Sequence, residues 1–328
     1  MKKAQCDVTA LGELLVDFTE NESASGQKNC SYMFKANPGG APCNVLAMLR
    51  NLGRKTAFIG KIGDDFLGQM LAQTVSSLGI DTSGLIVSKK EKTTLAFVHT
   101  AAGGERSFSF YRNYGADTML KKSEVKTNLI ASSRIFHFGS LSMTNEPAAE
   151  ATEYALETAK KNGVLISFDP NLRPMLWDSQ KHAKERIEYG LSFCDILKIS
   201  DDELEFMTGK KNAAEGVASL RRKNSILLVC VTKGKKGSES FFDNGTAVIH
   251  DMCPAFRTVK TIDTTGAGDT FCACVLNDVL ENGIASFDKE RMHRMLSFAN
   301  AAAALVTEKK GALLSLPSVR DVLALLKK

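Results

Sequence analysis

No apolar run in this 328-residue chain approaches the roughly 20 residues needed to cross a bilayer, which excludes an integral membrane protein. Histidine is scarce, with five residues in all. Cysteine is thinly spread over Cys6, Cys30, Cys43, Cys194, Cys230, Cys253, Cys272 and Cys274, and no pair has C-x-x-C spacing. Such a distribution supports neither a metal centre nor a disulfide scaffold. Reduced, mostly buried thiols in a cytoplasmic protein are the simplest expectation. Asp7, Glu13 and Asp17 interrupt the stretch behind Lys2 and Lys3, so no secretory leader is expected. Internal repeats and low-complexity linkers are absent. A surplus of one charge sign is nearly absent too. Lys and Arg number 42 against 37 Asp and Glu, a net +5 spread along the chain, which calls for no nucleic-acid or membrane partner.

What is present is ordinary globular material, 44% hydrophobic and 24% charged, enough for a sizeable core. Strand-like and helix-like segments alternate, the pattern of an α/β protein with a largely parallel central sheet. Strands are expected at 8–16, 56–62, 134–138, 164–168, 196–199 and 226–232. Helices are expected at 45–52, 67–78, 147–162, 267–280, 291–306 and 318–326. Two regions break the rhythm. Residues 32–36 read as a strand, and 93–100 with 106–111 read as a hairpin. Leu95, Phe97 and His99 share one face of that hairpin, and Phe108 and Phe110 share one face. Period-two aromatics fit a sheet that covers something apolar. These strands are expected to form a small β lid, inserted at about 18–36 and 93–112 into one domain spanning 1–328.

The segment Asp263-Thr264-Thr265-Gly266-Ala267-Gly268-Asp269-Thr270-Phe271 carries most of the functional argument. Two glycines in three residues sit where a strand gives way to a helix. Such a turn aims backbone N–H groups outward, and the helix dipole adds partial positive charge, which makes a phosphate site. Asp269, in the first turn, would then stand beside a bound phosphate, as a base working next to a phosphoryl group. A dinucleotide fingerprint fails, because Phe271 fills its third small position and the segment lies late in the chain. No GxxxxGK[ST] loop occurs. Near the N-terminus, Asn37-Pro38-Gly39-Gly40-Ala41-Pro42-Cys43-Asn44 leads into a helix. Paired glycines let a small polar ligand approach the backbone, and Asn44 offers a donor and an acceptor.

Together these segments resemble the ribokinase-like (pfkB) family of carbohydrate kinases, over essentially the whole chain. Within that family the likeness is to the fructokinases. The stretches that carry it are Gly12-Glu13-Leu14-Leu15-Val16-Asp17, Phe110-Tyr111-Arg112-Asn113, Phe168-Asp169-Pro170-Asn171-Leu172-Arg173 and Lys198-Ile199-Ser200-Asp201-Asp202-Glu203. The resemblance implies a doubly wound α/β sheet flanked by helices, with a small β lid. It implies ATP-dependent phosphorylation of a sugar hydroxyl, with the primary hydroxyl of fructose as acceptor. Asp269 would be the catalytic base, Gly266, Ala267 and Gly268 the anion hole, and Arg173 a group near substrate and transferring phosphate. Asp17, Gly39, Gly40 and Asn44 would hold the sugar, and Phe97 and Phe108 would cover its ring. Lys198, Ser200, Thr232, Gly234, Gly237 and Asn300 fall on the ATP side, although 232–237 alone is a basic hairpin turn. Many relatives carry Asn-x-x-Glu where this chain has Ser200-Asp201-Asp202-Glu203. Glu203 would position Mg²⁺ through water, yet the same residues also spell a capping box. Potassium is implied through backbone at Asp263, Thr265, Val306, Gly311 and Ser315. A homodimer through the lid also follows from the resemblance. Two alternatives stay open. A 2-keto-3-deoxygluconate kinase would use Tyr111, Arg112 and Arg173 on a carboxylate. A non-catalytic sugar-binding regulatory protein would have no need of Asp269.

Overall fold

The computed structural model describes residues 5–20, 33–100, 106–256, 261–285, 287–313 and 315–327. In chain order the strands are β1 Cys6–Leu11, β2 Leu15–Glu20, β3 Phe34–Gly39, β4 Thr56–Gly63, β5 Asp81–Ser88, β6 Leu95–Thr100 and β7 Arg106–Tyr111. They continue with β8 Ser133–Gly139, β9 Leu165–Asp169, β10 Ile196–Ser200, β11 Leu228–Thr232, β12 Ser238–Asp243 and β13 Val248–Cys253. The helices are α1 Ala41–Asn51, α2 Phe66–Ser77, α3 Thr127–Ala131, α4 Ala148–Lys161, α5 Gln180–Leu191, α6 Asp201–Thr208, α7 Ala213–Arg221, α8 Ala267–Asn282, α9 Lys289–Val306 and α10 Val319–Leu326.

Among the described residues the large sheet has nine strands in the order β13-β12-β11-β10-β9-β8-β1-β4-β5. From β5 to β11 every pairing is parallel, and β12 and β13 close the edge as an antiparallel pair. Alternation along each strand feeds two cores. In β11, Leu228 and Cys230 face the layer of α1, α8 and α9, while Val229 and Val231 face the layer of α4, α5 and α7. Both faces are covered, as a parallel sheet requires. The strand order reverses between β1 and β8, and in such sheets ligands bind outside the carboxyl ends of the strands at that reversal. No helix among the described residues is long and apolar enough to cross a membrane.

A second sheet, ordered β3-β2-β6-β7, stands apart from the first. The sequence expectation ran one strand through residues 8–16. The structure breaks it at Gly12–Leu14, where the chain leaves the body sheet and enters the lid sheet. Tyr32 and the hairpin tip 101–105 lie outside the described residues. Helix α1 begins at Ala41, four residues before the expected start, because Pro42 fits the first helical turn. Strands β5, β12 and β13 and helices α3, α5 and α7 add to the elements expected from sequence, and some of their apolar side chains face solvent. The Val248 and Met252 side chains of β13, for instance, are exposed.

Candidate active site

Gly266 caps α8 in the left-handed region, at φ 80°, and a Cβ there would lie 2.6 Å from that of Ala312. Only glycine makes this turn without strain. Within the turn the Ala267 N–H bonds Thr264 O at 3.3 Å, and the Thr270 N–H makes the bond to the helix cap, Gly266 O, at 2.8 Å. The N–H groups of 268 and 269, in the first turn of the helix, are among those that a helix cannot satisfy internally. The early glycine turn arrives from the opposite side. Gly40 precedes α1 at φ 126°, and one turn later Asn44 donates from Nδ2 to Asp269 Oδ2 at 2.7 Å. The two motifs thus meet through a hydrogen bond across 225 residues.

Two cavities flank this meeting point. The first, of about 510 Å³, is walled by Glu13, Asp17, Gly40, Asn44, Arg173 and Asp269, among others. The second, of about 290 Å³, is walled by Thr232, Gly234, Gly237, Ala267, Gly268 and Asn300, among others. Thr264 and Gly268 belong to both walls. Two small-molecule chambers therefore share the tip of a helix that favours anions.

Charge inside the first cavity is dense. Burial pushes Asp269 above its ordinary pKa, against the Asn44 hydrogen bond and the charges of Lys198 and Arg173. Asp17 rises to about 7, chiefly through burial, with Arg173 opposing and Asp263 and Asp269 adding to the rise. Lys198 Nζ stands 3.0 Å from Asp169 Oδ2, and a Cβ on Gly268 would lie 3.0 Å from the same ammonium. Burial alone would weaken that ammonium, but Asp169 and Glu203 hold it charged. It is thus a fixed positive charge against the anion turn. Asn44 Oδ1 is buried without a hydrogen-bond partner among the described residues, an acceptor that suits a hydroxyl donor.

The structure moves several expected residues. Phe97 pairs with Ser109, and Phe110 pairs with Ala96, itself paired with Asp17. Asp17 and Phe110 therefore share the cavity face, and Phe97 takes the opposite one. There Phe97 stacks on Phe18 at 5.0 Å and meets Tyr111 edge-on at 5.4 Å. Phe110, not Phe97, lines the first cavity. The Phe108 backbone pairs with Val98, and its side chain lies outside the described residues. Tyr111 is 67% exposed on the outer face. Arg112 is buried and committed elsewhere: it donates to Asp117 Oδ2 at 2.8 Å, Thr144 Oγ1 at 2.9 Å and Leu141 O at 2.8 Å. Ser200 enters neither cavity wall, because its hydroxyl accepts the Glu203 N–H at 3.2 Å and caps α6. Asn300 lines the second cavity, but its amide is bound to Cys253 O, Pro254 O and Ser238 Oγ, so it holds the wall together. Gly39 lies under Asp17, where a Cβ would fall 2.3 Å from Oδ2. Glu203 accepts from Leu172 N at 2.7 Å and Ser200 N at 2.8 Å. Asp263 accepts from Thr265 N and Gly311 N and donates its own N–H to Thr307 O, next to Val306. Ser315 donates to Gly311 O. The segments expected at a potassium site converge in this way. Glu13, Leu15, Phe110, Leu141, Asn171 and Met175 are cavity residues that the sequence reading left unassigned.

The raised acid at Asp17 gives a stability test. A carboxyl whose folded pKa lies above its unfolded value of 3.8 stabilises the fold fully below that value, and the contribution is lost as pH rises through about 7. Asp17→Asn should therefore gain stability relative to the wild type between pH 4 and pH 8, by roughly 1–3 kcal/mol. Urea denaturation of the ligand-free proteins at both pH values checks this, and an unchanged difference contradicts it.

Comparison with known proteins agrees with the geometry. Probable fructokinase-2 of Arabidopsis thaliana is 40% identical over 320 residues, covering 98% of this chain and 95% of that protein. Fructokinase from Xylella fastidiosa with bound ATP superposes with a TM-score of 0.87 at 31% identity, covering 100% of this chain and 99% of that one. A fructokinase double mutant from Vibrio cholerae, with fructose, ADP and potassium ion bound, gives 0.85 at 29% identity, covering 99% of this chain and 100% of that one. A sequence profile of pfkB family carbohydrate kinases matches residues 5–319, so the two glycine turns that Asn44 and Asp269 join lie in a chain that belongs to that family.

Proposed function

We propose that this chain is an ATP-dependent fructose kinase that phosphorylates the sugar's primary hydroxyl to give fructose 6-phosphate. One observation carries the reading: two cavities share Thr264 and Gly268 as wall residues, with Asp269 on the wall of the first alone. Sugar occupies the first cavity and ATP the second. Asp269 takes the proton from the hydroxyl, the oxygen attacks the γ-phosphorus in line, and ADP leaves. The N–H groups at 268 and 269, with Lys198 and Arg173, hold the developing charge. The fructose- and ADP-bound relative supports this choice of substrates.

A neutral sugar is favoured over an acidic one. Glu13, Asp17 and Asp269 put three carboxyl groups on the first cavity against Arg173 and Lys198. The 2-keto-3-deoxygluconate reading loses two of its three binding groups, since Tyr111 faces outward and Arg112 is committed to Asp117. A purely regulatory sugar binder leaves the raised carboxyl beside the anion turn unexplained. Among the described residues no three His, Cys, Asp or Glu group to hold a metal. That suits Mg²⁺ arriving on the nucleotide with much of its water. Asp169 and Glu203 would hold it through water, and Asp169 Oδ2 lacks a hydrogen-bond partner, facing Lys198 as an ion pair only. Mg²⁺ would neutralise phosphate charge. Potassium would sit where 263–265, 306–307 and 311–315 converge. The buried free thiols fit the cytoplasm.

A coupled ADP-release assay over neutral ketoses, aldoses and 2-keto-3-deoxygluconate tests the reading. Fructose should give the highest kcat/KM. Preference for the acid, or ADP release that ignores sugar, overturns it.

The outer lid face is apolar. Met33 and Phe34 are 59% and 42% exposed beside Phe97 and Tyr111, a surface suited to a second copy of the chain. The two lid faces then separate by experiment. Phe110→Ala should raise the KM for fructose about tenfold, through lost apolar contact with the ring. Phe97→Ser should leave that KM near wild type and shift the protein toward monomer in sedimentation velocity. The reverse pattern would put Phe97 back over the sugar.

A further inference from the structure

We propose that Glu13 is a positioning residue for the sugar: its carboxylate stands in for the missing cap of α1 and fixes the glycine turn that presents Asn44. The proposal rests on the first cavity being the sugar site. Glu13 lies in the short crossing between β1 and β2, is 3% exposed, and lines that cavity. Its Oε1 accepts the N–H of Ala41, the first residue of α1, at 2.8 Å. Gly40 occupies the capping position and has no side chain to do this itself. The contact is double, because a Cβ on Gly40 would lie 2.3 Å from Glu13 O. Backbone and side chain of one residue therefore grip the same turn.

That grip sets the sugar end of the site. The Asn44 N–H bonds to Gly40 O at 3.0 Å, so Asn44 sits one turn beyond the held residue. Its amide then bonds Asp269 and leaves Oδ1 for the ligand. Burial disfavours the ionised carboxyl of Glu13 and pushes it up to about 7, opposed by the Ala41 N–H and the Arg112 charge, with Asp117 adding to the rise. An apolar residue here would avoid that cost, yet it could not accept the Ala41 N–H. The nucleotide cavity draws its walls from 232–237, 255–256, 261, 264, 267–268, 271 and 300–307, and among the described residues no hydrogen bond ties these to Glu13.

The test uses Glu13→Met, of similar length but without an acceptor, and Glu13→Gln, whose amide oxygen can still take the Ala41 N–H. Steady-state kinetics in both substrates are combined with calorimetry of fructose binding without nucleotide. Glu13→Met should raise the KM and Kd for fructose about tenfold, the scale of a lost helix cap, and leave the KM for ATP within about twofold. Glu13→Gln should stay within about threefold of wild type for both sugar constants. An unchanged fructose KM in Glu13→Met, equal rises for both substrates, or a Gln variant as impaired as Met overturns the assignment. If Glu13→Met does not fold, Glu13→Asp, one methylene too short to reach, replaces it with the same expectations. Wild-type protein inactive on fructose overturns the fructose reading instead, and Glu13 is then read with whichever neutral sugar is turned over. A chain that turns over none overturns both.

Discussion

Asp269→Asn should lower turnover by about 10²–10⁴ while changing the KM for fructose far less, because the amide keeps the shape but cannot accept the hydroxyl proton. The geometry makes this sharper than a generic loss of charge. Asn44 holds one carboxylate oxygen at 2.7 Å, which leaves the other for the sugar hydroxyl. Burial raises the acid's pKa above the usual carboxylate value, which makes the ionised form a readier proton acceptor. The wild-type kcat should accordingly fall as pH drops and Asp269 is protonated. That limb should vanish in the variant's residual activity. Rapid-quench turnover at saturating ATP and fructose, measured across pH, checks both parts. Near wild-type turnover in a folded Asn variant would falsify the role of the base.

Gly40→Ala should be strongly damaging. The new methyl would lie 2.3 Å from Glu13 O and 3.2 Å from Leu14 Cα, both backbone atoms that cannot rotate away. The residue also sits at φ 126°, which side chains rarely adopt. Overpacking and strain together should cost roughly 2–5 kcal/mol of stability. The protein that remains folded should bind fructose poorly, since relief of the clash moves Asn44. Thermal melting and fructose titration measure the two effects. Gly53→Ala is the control: it also has positive φ, at 83°, but nothing lies within 4 Å of its Cβ. Equal losses in the two variants would show that conformation, not contact with Glu13, decides the outcome.

The residues that were legible in the sequence are those whose type alone carries physics. Gly266 and Gly40 announce turns, Asp269 announces a carboxyl at the start of α8, and the apolar runs of β4 and β11 announce buried strands. Register is what the sequence withholds. Whether Phe97 or Phe110 lines the first cavity depends on which one shares a face with Asp17, and only the pairing of Ala96 with both Asp17 and Phe110 decides it. Arg112 misled for a related reason. Its charge suits an anionic ligand, but Asp117, five residues on, claims it first. Glu13 and Asn171 lay in plain view, within G-E-L-L-V-D and D-P-N-L-R. Neither spacing says that the Glu13 carboxyl reaches the start of α1 or that Asn171 adopts φ 45° at the cavity edge.

The two-faced lid strand constrains how such a protein can diverge. Asp17 and Phe18 are neighbours in the chain, yet they answer to different masters: one to the first cavity, the other to the aromatic exterior. Replacements at Leu15 and Asp17 should change the first cavity without disturbing the exterior, and those at Phe18 should do the opposite. A single-residue insertion or deletion there would scramble both properties at once, so lineages should vary these strands by substitution and keep their length fixed.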